Sequence, residues 1–245
     1  MESKIFGLRP VLEALKANRS FEKIMIRDEA KSEILYEILD IANQKNIPIN
    51  RVPMERLNRL VKNGNHQSIV AFLSSKEYSD LEEVLEQLKQ TNKPPFLLLL
   101  DKVTDVRNFG AIARTAECAG VDAIIVPSKS AAPLNVDAMK TSAGALNYVP
   151  VCKVSNLKSA IYLIKNYDIK IVAASEKSEK EYYNSDLSGA VAIIMGSEES
   201  GISKSNLEMA DEIVRIPLSG NIDSLNVSVA TAIISFECVR QRNTK

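Results

Sequence analysis

The segment Phe96–Leu100 reads FLLLL and constrains how the following chain folds. Successive side chains of a strand point to opposite faces, so both faces of this strand must be covered by other elements. Such a strand is typical of a parallel sheet with helices on both sides. Helical and strand-like segments alternate from Phe96 to the C-terminus. We therefore predict a doubly covered, mainly parallel α/β domain over residues 94–245.

The chain upstream predicts a smaller α/β domain over residues 1–75. Amphipathic segments VLEALKAN, EILYEILDIANQKN and MERLNRLVKN alternate with the strand-like segments EKIMIRD, IPINRV and QSIVAFLS. Residues 76–93 are polar with helical spacing, and Pro94-Pro95 ends that helix. We predict that residues 76–93 form a linker helix between the two domains.

Composition excludes several classes of protein. Lys plus Arg equals Asp plus Glu at 31 each, so net charge gives no overall attraction to nucleic acid or membrane. The 3 Cys residues are far apart and the chain has 1 His, which disfavours a zinc site and a disulfide framework. No metal is expected. Without an apolar signal region or an 18-residue apolar run, we expect a cytoplasmic protein with no membrane contact.

Three polar stretches follow predicted strands, where ligands of parallel sheets bind. In the first, DKVTDVRNFGAIARTAECAG, Asn108 is a candidate helix cap, Gly110 permits close approach, and Arg114 follows on the helix. A capped helix with a surface Arg explains the first stretch equally well. The chain has no G-x-G-x-x-G sequence, which disfavours a nicotinamide cofactor.

The second stretch, IIMGSEESGIS, places two adjacent carboxylates between Gly196 and Gly201. They would repel phosphate, so the loop suits a neutral or cationic ligand, or is simply an acidic turn. The third stretch, IPLSGNIDSLNVSVATAIISFE, turns at Gly220 and enters a helix capped by Ser224 or Asn226. That helix is apolar nearly all round, which predicts burial within the domain or at a subunit interface.

In this order, the stretches NFGAIARTA, IIMGSEESGIS and IPLSGNIDSLNVSVATAI resemble the three motifs of the SpoU (TrmH) family of RNA ribose 2′-O-methyltransferases. IFGLRPVLEAL and NHQSIVAF resemble the substrate-binding domain of the RlmB-like subgroup, which methylates a guanosine in 23S ribosomal RNA. The resemblance implies a SPOUT-type fold with a trefoil knot, a homodimer, S-adenosylmethionine (AdoMet) as cofactor and RNA as partner.

The resemblance also assigns site residues. It implies a catalytic set of Asn108, Arg114, Glu198, Ser224 and Asn226; cofactor contacts by Gly196, Ile216, Leu218 and Leu225; and RNA contacts by Arg9, Arg56 and His66. In the family, Arg114 would deprotonate the ribose 2′-OH. A guanidinium stays protonated in proteins, so Arg114 could instead hold the neighbouring phosphate while phosphate or water takes the proton.

Several alternatives remain open from the sequence. A tRNA or another ribosomal RNA could be the substrate, or the chain could be a non-catalytic RNA-binding or ribosome assembly factor. The basic run of Arg51, Arg56, Arg59 and Lys62 is either a solvated helix face or a phosphate contact. His66 follows a Gly-Asn turn and could be only a turn residue.

Overall fold

The computed structural model describes residues 4–17, 19–61, 64–73 and 78–244. The chain divides into two compact units, Met1–Glu77 with Pro133–Val136, and Tyr78–Ala132 with Asp137–Lys245. No helix in these ranges is long and apolar enough to cross a membrane. The same ranges contain no group of three or more His, Cys, Asp or Glu residues that could hold a metal.

The first unit is a four-stranded sheet with helices on both faces. Its strand order is β1-β4-β2-β3, in which β2 and β3 are parallel and β4 is antiparallel to β1 and β2. One face packs a core against α1 and α2, and the other packs a smaller core against α3. The elements are β1 (Lys4–Phe6), α1 (Leu8–Lys16), β2 (Phe21–Arg27), α2 (Glu33–Gln44), β3 (Ile49–Val52), α3 (Met54–Val61) and β4 (Ile69–Leu73).

The second unit is built on a six-stranded parallel sheet of order β10-β8-β9-β5-β6-β7. The strands are β5 (Phe96–Asp101), β6 (Ala123–Pro127), β7 (Val151–Val154), β8 (Lys170–Ala174), β9 (Val191–Gly196) and β10 (Glu212–Val214). The helices are α4 (Leu81–Lys89), α5 (Val106–Cys118), α6 (Val136–Thr141), α7 (Leu157–Lys165), α8 (Lys204–Leu207) and α9 (Val227–Asn243), with 3₁₀ turns at Ala145–Asn147 and Tyr182–Asn184.

The parallel sheet predicted from FLLLL is confirmed. Every residue of β5 is buried, because β6 and β9 flank it and helices cover both of its faces. The polar stretch at 76–93 contains α4, whose Leu81, Val84 and Leu85 are buried in the core of the second unit. This helix is therefore part of that unit's core.

Helix α9 is held at its C-terminal end by Arg242. The guanidinium donates hydrogen bonds to the carbonyls of Pro95 at 2.9 Å and Gly189 at 2.7 Å, and lies over the ring of Phe96 at 5.1 Å. These contacts tie the end of the chain to the start of β5. Within one chain only one side of α9 is buried, since Val229 and Phe236 are 47% and 48% exposed; the alternative of burial at a subunit interface stays a prediction.

Helices α5 and α6 approach closely at Gly110. A Cβ at this position would lie 2.0 Å from Thr141 Oγ1 and 2.6 Å from Thr141 Cβ. These distances leave no room for a methyl group, so the contact requires glycine. This position fits the close approach predicted for Gly110 from the sequence.

We predict that Gly110→Ala lowers the free energy of unfolding by about 1–3 kcal/mol, because α6 must shift. Gly189→Ala is the matched control, since a Cβ there meets nothing within 4 Å. Urea unfolding followed by circular dichroism measures both. Adding Thr141→Gly to Gly110→Ala should recover part of the loss, and equal destabilisation by the two alanine variants would contradict the packing argument.

Candidate functional site

A cavity of about 360 Å³ opens at the C-terminal ends of β8, β9 and β10. Parallel sheets bind ligands at this edge, because the loops leaving neighbouring strands converge there. The cavity is lined by Ala174, Ser175, Glu176, Lys177, Met195, Gly196, Ser197, Glu198, Glu199, Ser200, Gly201, Val214, Ile216, Leu218, Asp223, Ser224, Leu225, Val227 and Ala230. All of them belong to the second unit.

The loop that leaves β9 turns back onto its own start at Gly196. A Cβ on Gly196 would lie 2.3 Å from both Gly201 C and Ile202 N. Inside the loop, the amide of Gly201 donates to the carbonyl of Ser197 at 2.9 Å, and Gly201 has φ +60°. Both glycines are therefore required by geometry, one by close approach and the other by left-handed backbone.

The exit of this loop is fixed by Asp101, the last residue of β5. Its carboxylate is 5% exposed and accepts three hydrogen bonds on Oδ2. The donors are Ser203 N at 2.7 Å, Ser203 Oγ at 2.6 Å and Asn206 Nδ2 at 2.9 Å. A buried carboxylate without such partners would be strongly destabilising, so these bonds hold the loop in place.

Asn226 joins the three polar stretches in one cluster. Its Oδ1 accepts from Ser228 N at 3.0 Å and caps α9, while its Nδ2 donates to Asn108 Oδ1 at 3.0 Å and to Glu198 Oε1. The amide of Val227 also donates to Glu198 Oε1 at 3.3 Å. The side chain thus uses its acceptor for the helix and its donors for two polar groups 118 and 28 residues away.

The structure brings most of the predicted site residues together. Gly196, Ile216, Leu218, Leu225, Glu198 and Ser224 line the cavity; Asn226 adjoins it through its bond to Glu198, and Asn108 through its bond to Asn226. The predicted capping role of Asn108 is wrong. Asp105 caps α5 by accepting from Arg107 N at 2.9 Å and Asn108 N at 2.8 Å, so Asn108 is inside the first turn.

Arg114 lies apart from this cluster. It is exposed on α5 and does not line the cavity, and within the described ranges it makes no hydrogen bond or ion pair. Six residues of α-helix separate it from Asn108, which corresponds to a rise of about 9 Å and a rotation of about 240°. Within one chain the side chains of Asn108 and Arg114 therefore leave α5 in different directions, and the role of Arg114 stays a prediction.

The predicted RNA contacts belong to the first unit and differ in exposure. Arg9 and Arg56 are exposed, whereas His66 is only 4% exposed. His66 Nε2 bonds Asn58 Oδ1 at 2.9 Å, and its Nδ1 accepts from Ser68 N at 3.1 Å. Both ring nitrogens of His66 hold the turn, and an RNA contact by this residue stays a prediction. Lys62 lies outside the described residues.

Three polar residues of the cavity lie outside the sequence motifs: Ser175, Glu176 and Lys177. They follow β8, and their position after a strand of the parallel sheet was the available signal. Glu212 holds the loop after β8 by accepting from Lys180 Nζ and from Ser185 Oγ. Burial disfavours its charged form, but the bonds from Lys170, Lys180 and Ser185 outweigh this and lower the pKa of Glu212 to about 2.

The lining is strongly acidic. Glu176, Glu198, Glu199 and Asp223 supply four carboxylates, against one basic side chain, Lys177, among the lining residues of the described chain. The apolar part is formed by Ile216, Leu218, Leu225 and other aliphatic side chains. Such a cavity favours a ligand with positive charge and an apolar or aromatic portion.

Comparison with known protein families matches both halves of the chain. The SpoU rRNA methylase family matches residues 95–236, and the RNA 2′-O ribose methyltransferase substrate-binding domain matches residues 4–79. The 23S rRNA (guanosine-2′-O-)-methyltransferase RlmB of Pseudomonas putida is 35% identical over 99% of this chain and 98% of its own length. Bacillus subtilis YacO, assigned to the TrmH family of tRNA/rRNA methyltransferases, is 30% identical over 98% and 96%.

Solved structures show the same fold. The SpoU methyltransferase AviRb from Streptomyces viridochromogenes, in complex with AdoMet, superposes with a TM-score of 0.64 at 22% identity, covering 100% of this chain and 92% of its own. An AdoMet-bound rRNA methyltransferase from Sinorhizobium meliloti gives 0.62 at 24% identity, covering 97% and 86%. Together with the family matches, these similarities establish that the chain belongs to the SpoU (TrmH) family of RNA 2′-O-methyltransferases.

Proposed function

We propose that the protein is an AdoMet-dependent methyltransferase that modifies the 2′-oxygen of a guanosine ribose in 23S ribosomal RNA. The hydrogen-bonded cluster of Asn108, Glu198 and Asn226 beside an acidic cavity carries the proposal. The relative RlmB supports the choice of RNA, since its similarity extends over both units. In this proposal the first unit binds RNA, the second transfers the methyl group, and the enzyme acts in the cytoplasm.

The cavity fits AdoMet in shape and charge. AdoMet supplies an electrophilic methyl group on a positively charged sulfur. Gly196 lets the loop fold back against Gly201 and so shapes the cavity wall, and Ile216, Leu218 and Leu225 offer apolar surface for an adenine ring. The carboxylates of the lining, including Glu198, favour a cation.

The chain's own polar residues then orient the acceptor. The ribose hydroxyl is weakly acidic and must lose its proton during transfer, so it has to be held in one orientation. Asn226 fixes the Glu198 carboxylate and the Asn108 amide relative to the start of α9. Ser224 lines the cavity two residues before this cap, where its hydroxyl can position the acceptor ribose.

Arg114 is proposed to hold the phosphate next to the reacting ribose. A guanidinium is protonated at physiological pH and pairs well with phosphate oxygens, whereas it is a poor base. In one chain Arg114 is directed away from Asn108, so the site is incomplete. A homodimer resolves this, because a second copy can bring its own Arg114 to the cavity.

One side of α9 is a candidate assembly surface. Val229, Ile233 and Phe236 follow helical spacing along one side, and Val229 and Phe236 are about half exposed. Apolar side chains on one helix face favour cover by a second protein surface. We propose that two chains meet across this face, with α9 of one chain packed against α9 or α5 of the other.

The alternatives are separated by specific features. A non-catalytic RNA-binding factor would not require a fixed Asn108–Asn226–Glu198 cluster or an acidic cavity. A tRNA substrate would leave the catalytic unit unchanged, because target choice lies with RNA contacts such as those of Arg9 and Arg56. The following measurements separate these cases.

We predict that the purified protein binds AdoMet and that loss of the protein removes one 2′-O-methyl group from 23S ribosomal RNA. Calorimetry measures the first, and ribose-methylation mapping with and without the protein measures the second. A protein that does not bind AdoMet is not an enzyme of this class. Binding accompanied by loss of a tRNA methyl group would move the substrate to tRNA.

We predict that Asn226→Ser lowers the methylation rate about 100-fold, because the amide donors that orient Glu198 and Asn108 are lost. Serine caps helices about as well as asparagine, so unfolding free energy should change by less than about 0.5 kcal/mol. Asn156→Ser is the matched control, since Asn156 Oδ1 also caps a helix, α7, by accepting from Ser159 N at 2.8 Å. Equal activity of the two variants would contradict the role of the Asn226 amide.

We predict that Arg114→Ala and Asn226→Ser are each nearly inactive as homodimers and regain activity when mixed. If Arg114 acts across the dimer, one site of each mixed dimer is intact, which gives about a quarter of wild-type activity after random exchange. Single-turnover methylation of RNA by co-expressed chains measures this. No recovery in verified mixed dimers would show that Arg114 serves the cavity of its own chain.

A further inference from the structure

Lys177 is the one basic side chain that lines the cavity within the described part of the chain. It lies in the loop after β8, where its amide donates to Ser175 Oγ at 3.4 Å and fixes the turn. The residue is exposed, and its ammonium makes no hydrogen bond or ion pair with any other described residue. It is therefore available to a ligand.

The neighbouring lysines have structural partners. Lys170 Nζ lies 2.6 Å from Glu212 Oε2, and Lys180 pairs with the other oxygen of the same carboxylate. These two cations hold β8, β10 and the intervening loop together. Lys177 takes no part in that network, so its charge is not explained by the fold.

The charges of the cavity match those of an amino-acid tail carrying a sulfonium. The sulfonium and the ammonium of AdoMet are positive and suit the carboxylates of Glu176, Glu198, Glu199 and Asp223. The tail also carries a carboxylate, which those four groups repel and which a cation or a hydrogen-bond donor stabilises, a cation most strongly. We infer that Lys177 binds the α-carboxylate of the AdoMet tail.

This inference rests on the proposed function, because it assigns a residue to its cofactor. Lys177 is then a binding residue that favours ligands carrying the carboxylate, and it takes no part in the methyl transfer itself. A phosphate of the RNA is the other anion that reaches such a site. The two differ in which ligand loses affinity when the ammonium is removed.

The experiment measures binding to the full-length protein by calorimetry, without RNA. Wild type, Lys177→Met, Lys177→Arg and Lys158→Met are titrated with AdoMet and with decarboxylated AdoMet, which keeps the sulfonium and the amine. Lys158 is exposed on α7 and does not line the cavity, so Lys158→Met controls for loss of a surface charge.

We expect Lys177→Met to lower the affinity for AdoMet about five- to tenfold, as for loss of one exposed charge-assisted hydrogen bond. The affinity for decarboxylated AdoMet should stay within about twofold of wild type. S-adenosylhomocysteine keeps the carboxylate but not the sulfonium, so its affinity for Lys177→Met should fall by the same factor as that of AdoMet. Lys177→Arg should retain most of the affinity, and Lys158→Met all of it. The loss should shrink at 1 M salt, where exposed charges are screened.

Equal weakening of AdoMet and its decarboxylated analogue would overturn the inference, as would unchanged AdoMet binding by Lys177→Met. If Lys177→Met bound AdoMet like wild type but bound RNA more weakly in filter-binding assays, the partner of Lys177 would be an RNA phosphate. A wild-type protein that binds no AdoMet would instead refute the proposed function. Weaker AdoMet binding confined to Lys177→Met, with decarboxylated AdoMet unchanged, supports both.

Discussion

The site depends on the three hydrogen bonds that one oxygen of Asp101 accepts. This carboxylate is buried, and its donors come from Ser203 and Asn206, about 100 residues further along the chain. Removal from water makes such a group costly unless it is paired, so the donors must lie where they do for the fold to be stable. The same residue pairs with Gly196 in the sheet register. Asp101 therefore fixes both the entry and the exit of the loop that carries Glu198.

Gly196 converts this constraint into a cavity wall. With no Cβ, its backbone is approached by Gly201 and Ile202 to distances that no other residue permits. The loop turns back within five residues and holds Glu198 against the Nδ2 group of Asn226. Asn226 in turn bonds Asn108 on α5, the helix that follows Asp101. These contacts connect β5, the loop after β9, the start of α9 and α5 in one closed set, so a change at one residue displaces the others.

Sequence patterns predicted the features that depend on residues within one short segment. The buried run FLLLL indicated the parallel sheet, and the position of polar residues after strands indicated the cavity edge. Patterns failed where a distant partner decides. Asp105, three residues before Asn108, forms the cap that Asn108 was expected to form. His66 is buried and its ring bonds Asn58 and the Ser68 amide. The residues around His66 in the sequence do not indicate this burial. The trefoil knot stays a prediction from the family, because periodicity carries no information about threading.

The apolar side of α9 links assembly to chemistry. Asn226 is the cap of this helix, so the orientation of α9 sets where the Asn226 amide points. Arg242 holds the far end of the helix to the start of β5, while Val229, near the cap, and Phe236 remain about half exposed. Both ends of α9 are therefore held within one chain, whereas its apolar side with Val229 and Phe236 is not fully covered there. Cover of that face by a second copy would restrain the cap and deliver Arg114 in the same step. Dimer formation and completion of the site would then be one event, and dilution below the dimer dissociation constant would abolish activity without unfolding the chain.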